Sequence, residues 1–393
     1  MTPQERRATL GLSLIFVLRM LGLFMILPVF ALYANELEGV TPLTLGLALG
    51  IYGLTQALLQ LPFGLVSDRL GRKPVIVVGL LVFAAGSVLA ALADDIHWVI
   101  AGRALQGAGA IGAVINALLA DLTREQVRAS AMAVLGIGIG ACFLLAMVLG
   151  PVLNAWITVP GIFWMTAVMG LLGIVVLLMW VPAAPPLTLS DEPHSWRELL
   201  RVLSNPELLR LDGGIFILHA ILTSLFVAAP LALRDAGLDG RHHWQIYLPV
   251  MLLSIALLLP LLRLSGREGG LKPIFLFCIL LLALAQAGLA LMHQGPWLMA
   301  AALMLFFTGF NLLEATLPSQ VSQQAPVGHR GAALGVYSSL QFLGTFCGGA
   351  LGGLLLGVAG VGGVFMLGAV LALGWLGFAV FMRPPRITRE IRL

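Results

Sequence analysis

Apolar segments of about 20 residues, the length needed to cross a hydrocarbon core, recur from one end of this chain to the other with mostly short connections between them. Twelve can be counted, near 10–33, 42–66, 74–94, 98–121, 128–153, 160–182, 211–233, 243–263, 272–293, 297–321, 331–357 and 361–383. A backbone inside lipid must satisfy its own hydrogen bonds, so only helices and closed barrels can span it. Continuous apolar runs exclude the short alternating strands of a barrel. The predicted fold class is therefore all-α, a membrane protein of twelve transmembrane helices. Composition points the same way: 60% of the 393 residues are hydrophobic, 10% are charged and the mean hydropathy is +1.01, far outside the range of soluble domains. The first run follows Arg6 and Arg7 but is too long for a signal-peptide core and lacks a small-residue cleavage site, so it is expected to remain as the first span.

Lys and Arg collect in the short loops on the cytoplasmic side of a membrane. With the amino terminus inside, 18 of the 22 fall in cytoplasmic segments, Arg234 and Arg241 in outer loops, and Arg19 and Arg103 within spans. Both termini are thus expected in the cytoplasm. The net charge of +4 reports orientation and implies no nucleic-acid partner. The longest cytoplasmic connection holds PAAPP and then DEPHSWRELLRVLSNPELLR. There Trp196, Leu199, Leu200 and Leu203 recur at helical spacing while Arg197, Glu198 and Arg201 lie elsewhere, the pattern of a helix resting on the membrane surface. This connection divides the chain into a six-helix bundle at 1–182, a linker at 183–210, a second six-helix bundle at 211–383 and a basic tail at 384–393. A shift of 199 residues matches Leu135, Gly136, Phe143, Leu144 and Gly150 with Leu334, Gly335, Phe342, Leu343 and Gly349, a weak internal repeat of the kind transporters show. Cys142, Cys278 and Cys347 are isolated within spans and read as packing residues. His242 and His243 have no acidic or Cys companion and read as interfacial side chains, so no metal site is expected.

The stretch GLVSDRLGRKP, from Gly64 to Pro74, crowds four charges, Asp68, Arg69, Arg72 and Lys73, between two apolar segments. Gly64 and Asp68 share a helix face, and Gly64 lets a neighbouring helix approach. Asp68 lies where the helix dipole is negative, so its carboxylate needs Arg69, Arg72 or the positive start of another helix. A charge in need of a movable partner is a candidate latch; the plainer reading is a solvated cap beside loop cations.

Ionisable residues within spans are costly, and each is a functional candidate. Arg19, His219 and Glu314 fall at similar depth, roughly 12 Å from the cytoplasmic boundary at about 1.5 Å per residue. Asn116 and Asn311 lie near the same level. One polar cluster is expected, facing a water-filled cavity between the halves. Two readings stand side by side: Glu314 exchanges protons while Arg19 or His219 tunes it or binds substrate, or Arg19 and Glu314 form a permanent ion pair. Arg103 opens RALQGAG, where Gln106, Gly107 and Gly109 suggest a close-packed polar stripe. Tyr52, Thr55, Gln56 and Gln60 recur at three and four residues and present a polar face to the same cavity, as do Tyr337 and Gln341.

Together these residues resemble the major facilitator superfamily, specifically its twelve-helix drug:proton antiporter branch. GLVSDRLGRKP is similar to the superfamily's motif A between the second and third helices, and RALQGAG to motif B in the fourth. The resemblance implies a charge relay of Asp68 and Arg72 with Asp121, beside Gly71 and Lys73. It also implies that Asp68 faces the start of the eleventh helix around Gly331 and holds the halves together when the transporter opens outward. Arg103 would be the motif B arginine associated with proton coupling. Gly150 and Pro151 are what remains of motif C, Ala146 stands where a glycine is usual, and Arg19 stands where many multidrug exporters bear an acid. Similar transporters carry a small soluble domain after the last span, for which residues 383–393 leave no room.

The expected function is secondary active transport by a monomer in a bacterial inner membrane, rocking two bundles around a central site. Proton-coupled export of a small, amphipathic compound is favoured, with the proton gradient as energy source and no cofactor. The alternative is a proton-linked importer or facilitator of a metabolite. A polytopic membrane enzyme is disfavoured, since no Ser and His pair, His and Asp cluster or phosphate-cradling loop lies at a membrane face.

Overall fold

The computed structural model describes residues 1–183, 202–267, 269–326 and 329–382. Most of the predicted surface helix, including Trp196 to Leu200, and the basic tail lie outside the described residues. The helices are α1 (Pro3–Tyr33), α2 (Pro42–Leu70), α3 (Arg72–Ala91), α4 (Ile96–Ala108), α5 (Gly112–Asp121), α6 (Glu125–Met179), α7 (Pro206–Asp235), α8 (Trp244–Ser265), α9 (Leu271–Met292), α10 (Pro296–Gln324) and α11 (Arg330–Ala379). Local start signals are written in the sequence. Thr2 accepts from the Glu5 amide while the Glu5 side chain accepts from Thr2, with Pro3 in the first turn; Thr41, Pro42 and Thr44 repeat the device for α2. Asn205 caps α7 through the amides of Glu207 and Leu208.

Ten of the described helical stretches are long and apolar enough to cross a membrane. Two of them, α6 with 55 residues and α11 with 50, are about twice the length of one crossing. α6 breaks at Thr158 (φ 59°) just before Pro160, and α11 breaks at Gly360 (φ 65°). Each therefore crosses twice, which brings the described crossings to twelve. α4 and α5 form one crossing interrupted at 109–111. A Cβ on Gly107 would lie 2.1 Å from Thr55 Oγ1, and one on Gly109 would lie 2.3 Å from the Gly79 carbonyl, so these two glycines let the α4 backbone press on α2 and α3.

Helices α1–α6 pack chiefly on one another, α1 and α3 both against α6, and α7–α11 likewise, with α7 and α9 against α11. The groups meet where α2 lies on α11, α1 on α7 and α6 on α8. The face carrying the Gly64–Pro74 turn is called here the basic face; the opposite face carries residues 34–41, 92–95 and 236–243. Trp98, Trp156 and Trp297 are exposed at helix ends on the opposite face, where amphipathic rings anchor in an interface.

Contact between α2 and α11 is backbone to backbone near the opposite face. A Cβ on Gly46 would sit 2.1 Å from the Gly349 carbonyl, one on Gly53 2.3 Å from the Phe342 carbonyl, and one on Gly353 2.4 Å from the Pro42 carbonyl. Toward the basic face the approach loosens to 3.7 Å between Gly335 and Leu61 Cδ2. Gly331 of α11 and Gly136 and Gly140 of α6 have no heavy atom within 4 Å of the corresponding position. The two groups are thus closed together at the opposite face and parted at the basic face.

Candidate functional site

The expected single central cluster is two clusters, one in each group of helices. In the first, the Arg19 guanidinium is fully buried and donates from Nη2 to Gln56 Oε1 at 2.6 Å. Gln56 in turn donates to Gln60 Oε1 at 3.3 Å. Arg19 Cζ lies 5.7 Å from the Tyr52 ring centre and 5.4 Å from that of Phe83, and Arg103 Cζ lies 5.3 Å from the Tyr52 ring. Arg103 donates to the Ala48 carbonyl and to Gln106 Oε1, and Gln106 donates to Ser87 Oγ at 2.8 Å. Gly107, one residue on, supplies the close approach to α2 rather than a polar contact.

In the second cluster, Gln341 Nε2 on α11 donates to Glu314 Oε1 on α10 at 3.0 Å and stands 3.0 Å from His219 Nε2 on α7. With Nε2 accepting, the imidazole proton sits on Nδ1, facing Glu314 Oε2 at 3.9 Å. About a third of the Glu314 side chain is exposed, but its Oε2 is shut from solvent and has no hydrogen-bond partner, so in this state the carboxyl is held off from water.

The ion-pair reading of Arg19 with Glu314 is therefore corrected. Arg19 turns into its own group of helices, between the rings of Tyr52 and Phe83, and Glu314 bonds to Gln341 in the other group. Asn116 is exposed. Asn311 donates to Ser254 Oγ at 3.3 Å, and Tyr337 is buried with its hydroxyl unpartnered. His243, expected at the interface, is buried and bonded to the Leu238 carbonyl.

At the basic face, Arg72 gathers the turn. It pairs with Asp68, with Asp121 at 3.1 Å and with Ser67 Oγ at 2.7 Å, and Ser67 donates to the Gly64 carbonyl. Gly71, at φ 94°, makes the reversal between α2 and α3. Lys73 Nζ caps the last turn of α6 through the carbonyls of Val181 and Leu177, and Arg69 is exposed. A Cβ on Gly64 would lie 4.0 Å from Ala113 Cβ. The expected approach of Asp68 to the start of α11 is not made here: Gly331 lies in the parted region, and Asp68 is held by Arg72.

Three functional candidates escaped sequence reasoning. Ser67 and Ser87 are small polar residues in apolar surroundings, and each proved a hydrogen-bond partner of a site residue. Asp212 is an acid at the edge of the seventh span, buried with Oδ1 unpartnered.

The chain matches the model of the family described as Major Facilitator Superfamily over residues 12–346, with a second match at 251–392. It is 46% identical over 394 residues to the inner membrane transport protein YajR of Escherichia coli, covering all of this chain and 87% of that one. It is 34% identical over 346 residues to an uncharacterized transporter of Buchnera aphidicola, covering 88% of this chain and 89% of that one. Its fold is similar, at a TM-score of 0.76 and 15% identity, to a bacterial homolog of the human lysosomal transporter Spinster solved in an inward-facing and occupied conformation, with 98% of each chain covered. Twelve crossings in two helical groups, a basic turn at the second crossing's end and full-length kinship to named transporters have one reading: this chain is a membrane transporter of the major facilitator superfamily.

Proposed function

We propose that the chain exports a small organic compound in exchange for protons, alternating between a state open at the basic face and one open at the opposite face. The steep Lys and Arg bias supports placing the basic face and both termini in the cytoplasm of a bacterial inner membrane. Residues 1–182 and 211–383 are the two bodies that rock, within a monomer, and the Gly64–Pro74 turn is the latch of the cytoplasmic side. In the alternate state Asp68 would turn toward the start of α11; in the state described it is held by Arg72.

The observation that carries proton coupling is Glu314: a carboxyl within the membrane, hydrogen-bonded to a neutral amide and beside an imidazole, with no Arg or Lys bonded to it among the described residues. Such a group gains and loses a proton as its exposure changes from one state to the other. Liposomes containing the purified protein and a compound found by thermal stabilisation test this. An imposed proton gradient should drive transport of that compound by the unaltered protein and fail to drive it through Glu314→Gln. Equal gradient-driven transport by the variant would remove Glu314 from the coupling step.

A further inference from the structure

The two buried clusters differ in the sign of the charge they bury. Every Asp and Glu of α1–α6 lies at a helix end or in a connection, so Arg19 and Arg103 sit deep in the membrane with no carboxylate bonded to either. Both guanidinium groups lie over the one Tyr52 ring. Arg19 Nε, Arg19 Nη1 and Tyr52 Oη are shut from solvent and have no hydrogen-bond partner. Tyr52 is within electrostatic reach of both cations. Two like charges around one side chain, with donors unmade, form an environment that strongly favours an added negative charge.

Arg19 Nε and Nη1 are unused donors on two sides of a planar guanidinium, able to donate single hydrogen bonds to oxyanion oxygens, and the Tyr52 hydroxyl is a further unpartnered polar group in the same cluster. We propose that Arg19, with Tyr52 and Gln56, recognises the oxyanion of the transported compound, which makes the substrate an organic anion rather than a cationic amphiphile. The inference rests on the alternating-access reading, because the cluster is sealed in this state. Tyr52 packs edge-on against Phe342 of α11 at 6.2 Å, and Gly53 backs onto the Phe342 carbonyl. That contact belongs to the α2–α11 interface, which must part when the opposite face opens. Opening then uncovers Arg19 to the gap between the helical groups. The acid of the second cluster, Glu314, lies in the other group of helices, so anion recognition and proton exchange do not compete for one residue.

Charge-selective thiol labelling tests this without knowledge of the substrate. Gln60→Cys places a thiol beside Gln56, with Cys142, Cys278 and Cys347 changed to alanine in the full chain reconstituted in liposomes. Sulfonatoethyl and trimethylammonioethyl methanethiosulfonate, anionic and cationic reagents of similar size, are compared after normalising each to its rate with a free thiol in solution. The anionic reagent should react about tenfold or more faster. Arg19→Lys should keep that preference, and Arg19→Gln should abolish it. Equal or faster reaction with the cation, no reaction with either reagent over hours, or a preference that survives Arg19→Gln would each overturn the proposal. If Arg19→Gln does not fold, the ratio in the Arg19 protein decides alone. No proton is measured, so the outcome is independent of whether Glu314 carries coupling.

Discussion

Alanine at Gly46 should unlock the opposite face. Its Cβ would stand 2.1 Å from the Gly349 carbonyl, a backbone atom that cannot rotate away, against an ordinary contact distance of 3.4 Å. α2 must therefore retreat from α11 by about 1.3 Å, and overpacking of this kind costs about 1–3 kcal/mol. That cost falls on the state closed at the opposite face, since the interface parts in the other state. The ratio of the two states should therefore shift about 5- to 150-fold. Spin labels on Leu43 and Val358, both exposed on either side of this interface, report the change through their separation. Gly46→Ala should move the distance distribution toward longer values while a pair within α1–α6 stays constant. An unchanged distribution would refute the view that glycine-mediated backbone contact holds this face shut.

Three further outcomes follow from the geometry. Asp68→Asn should leave expression intact, reduce transport and raise cysteine accessibility at the basic face, because the neutral side chain cannot hold the closed state there; unchanged transport and accessibility would reject the latch. Thr158→Gly should raise thermal stability by about 1 kcal/mol, since a β-branched residue at φ 59° stores strain that glycine does not; a lower melting temperature in detergent would show that the Thr158 hydroxyl contributes more than its backbone costs. Glu314→Gln should retain ligand-induced thermal stabilisation while losing the proton linked to binding, so a variant that no longer binds at all would recast Glu314 as a substrate ligand.

Much of the fold was legible because a bilayer leaves a chain few choices. The breaks at Thr158 and Gly360 fall within a few residues of the gaps between predicted spans, where Pro160 and the glycines around Gly360 interrupt the apolar runs. The turn at Gly71 and the gathering of Arg72 with Asp68 and Asp121 could be anticipated from charge and helix-end chemistry, with the partner Asp121 supplied by family resemblance. Counting along the helices set Arg19, His219 and Glu314 at one expected level, and His219 and Glu314 do meet. Depth does not say which way a side chain points. Arg19 turned to the rings of Tyr52 and Phe83 inside its own helical group, so the expected equal depth did not become contact with Glu314. Asp212 was overlooked because hydropathy windows blur at the end of a span, where an acid ordinarily meets water.

Addition of a stabilising compound to the purified protein in weakly buffered detergent solution, followed with a pH indicator, tests proton exchange at Glu314 most directly. The unaltered protein should release a proton as it binds, and Glu314→Gln should bind with no release. Equal release from both proteins would contradict the assignment and move the proton to another group.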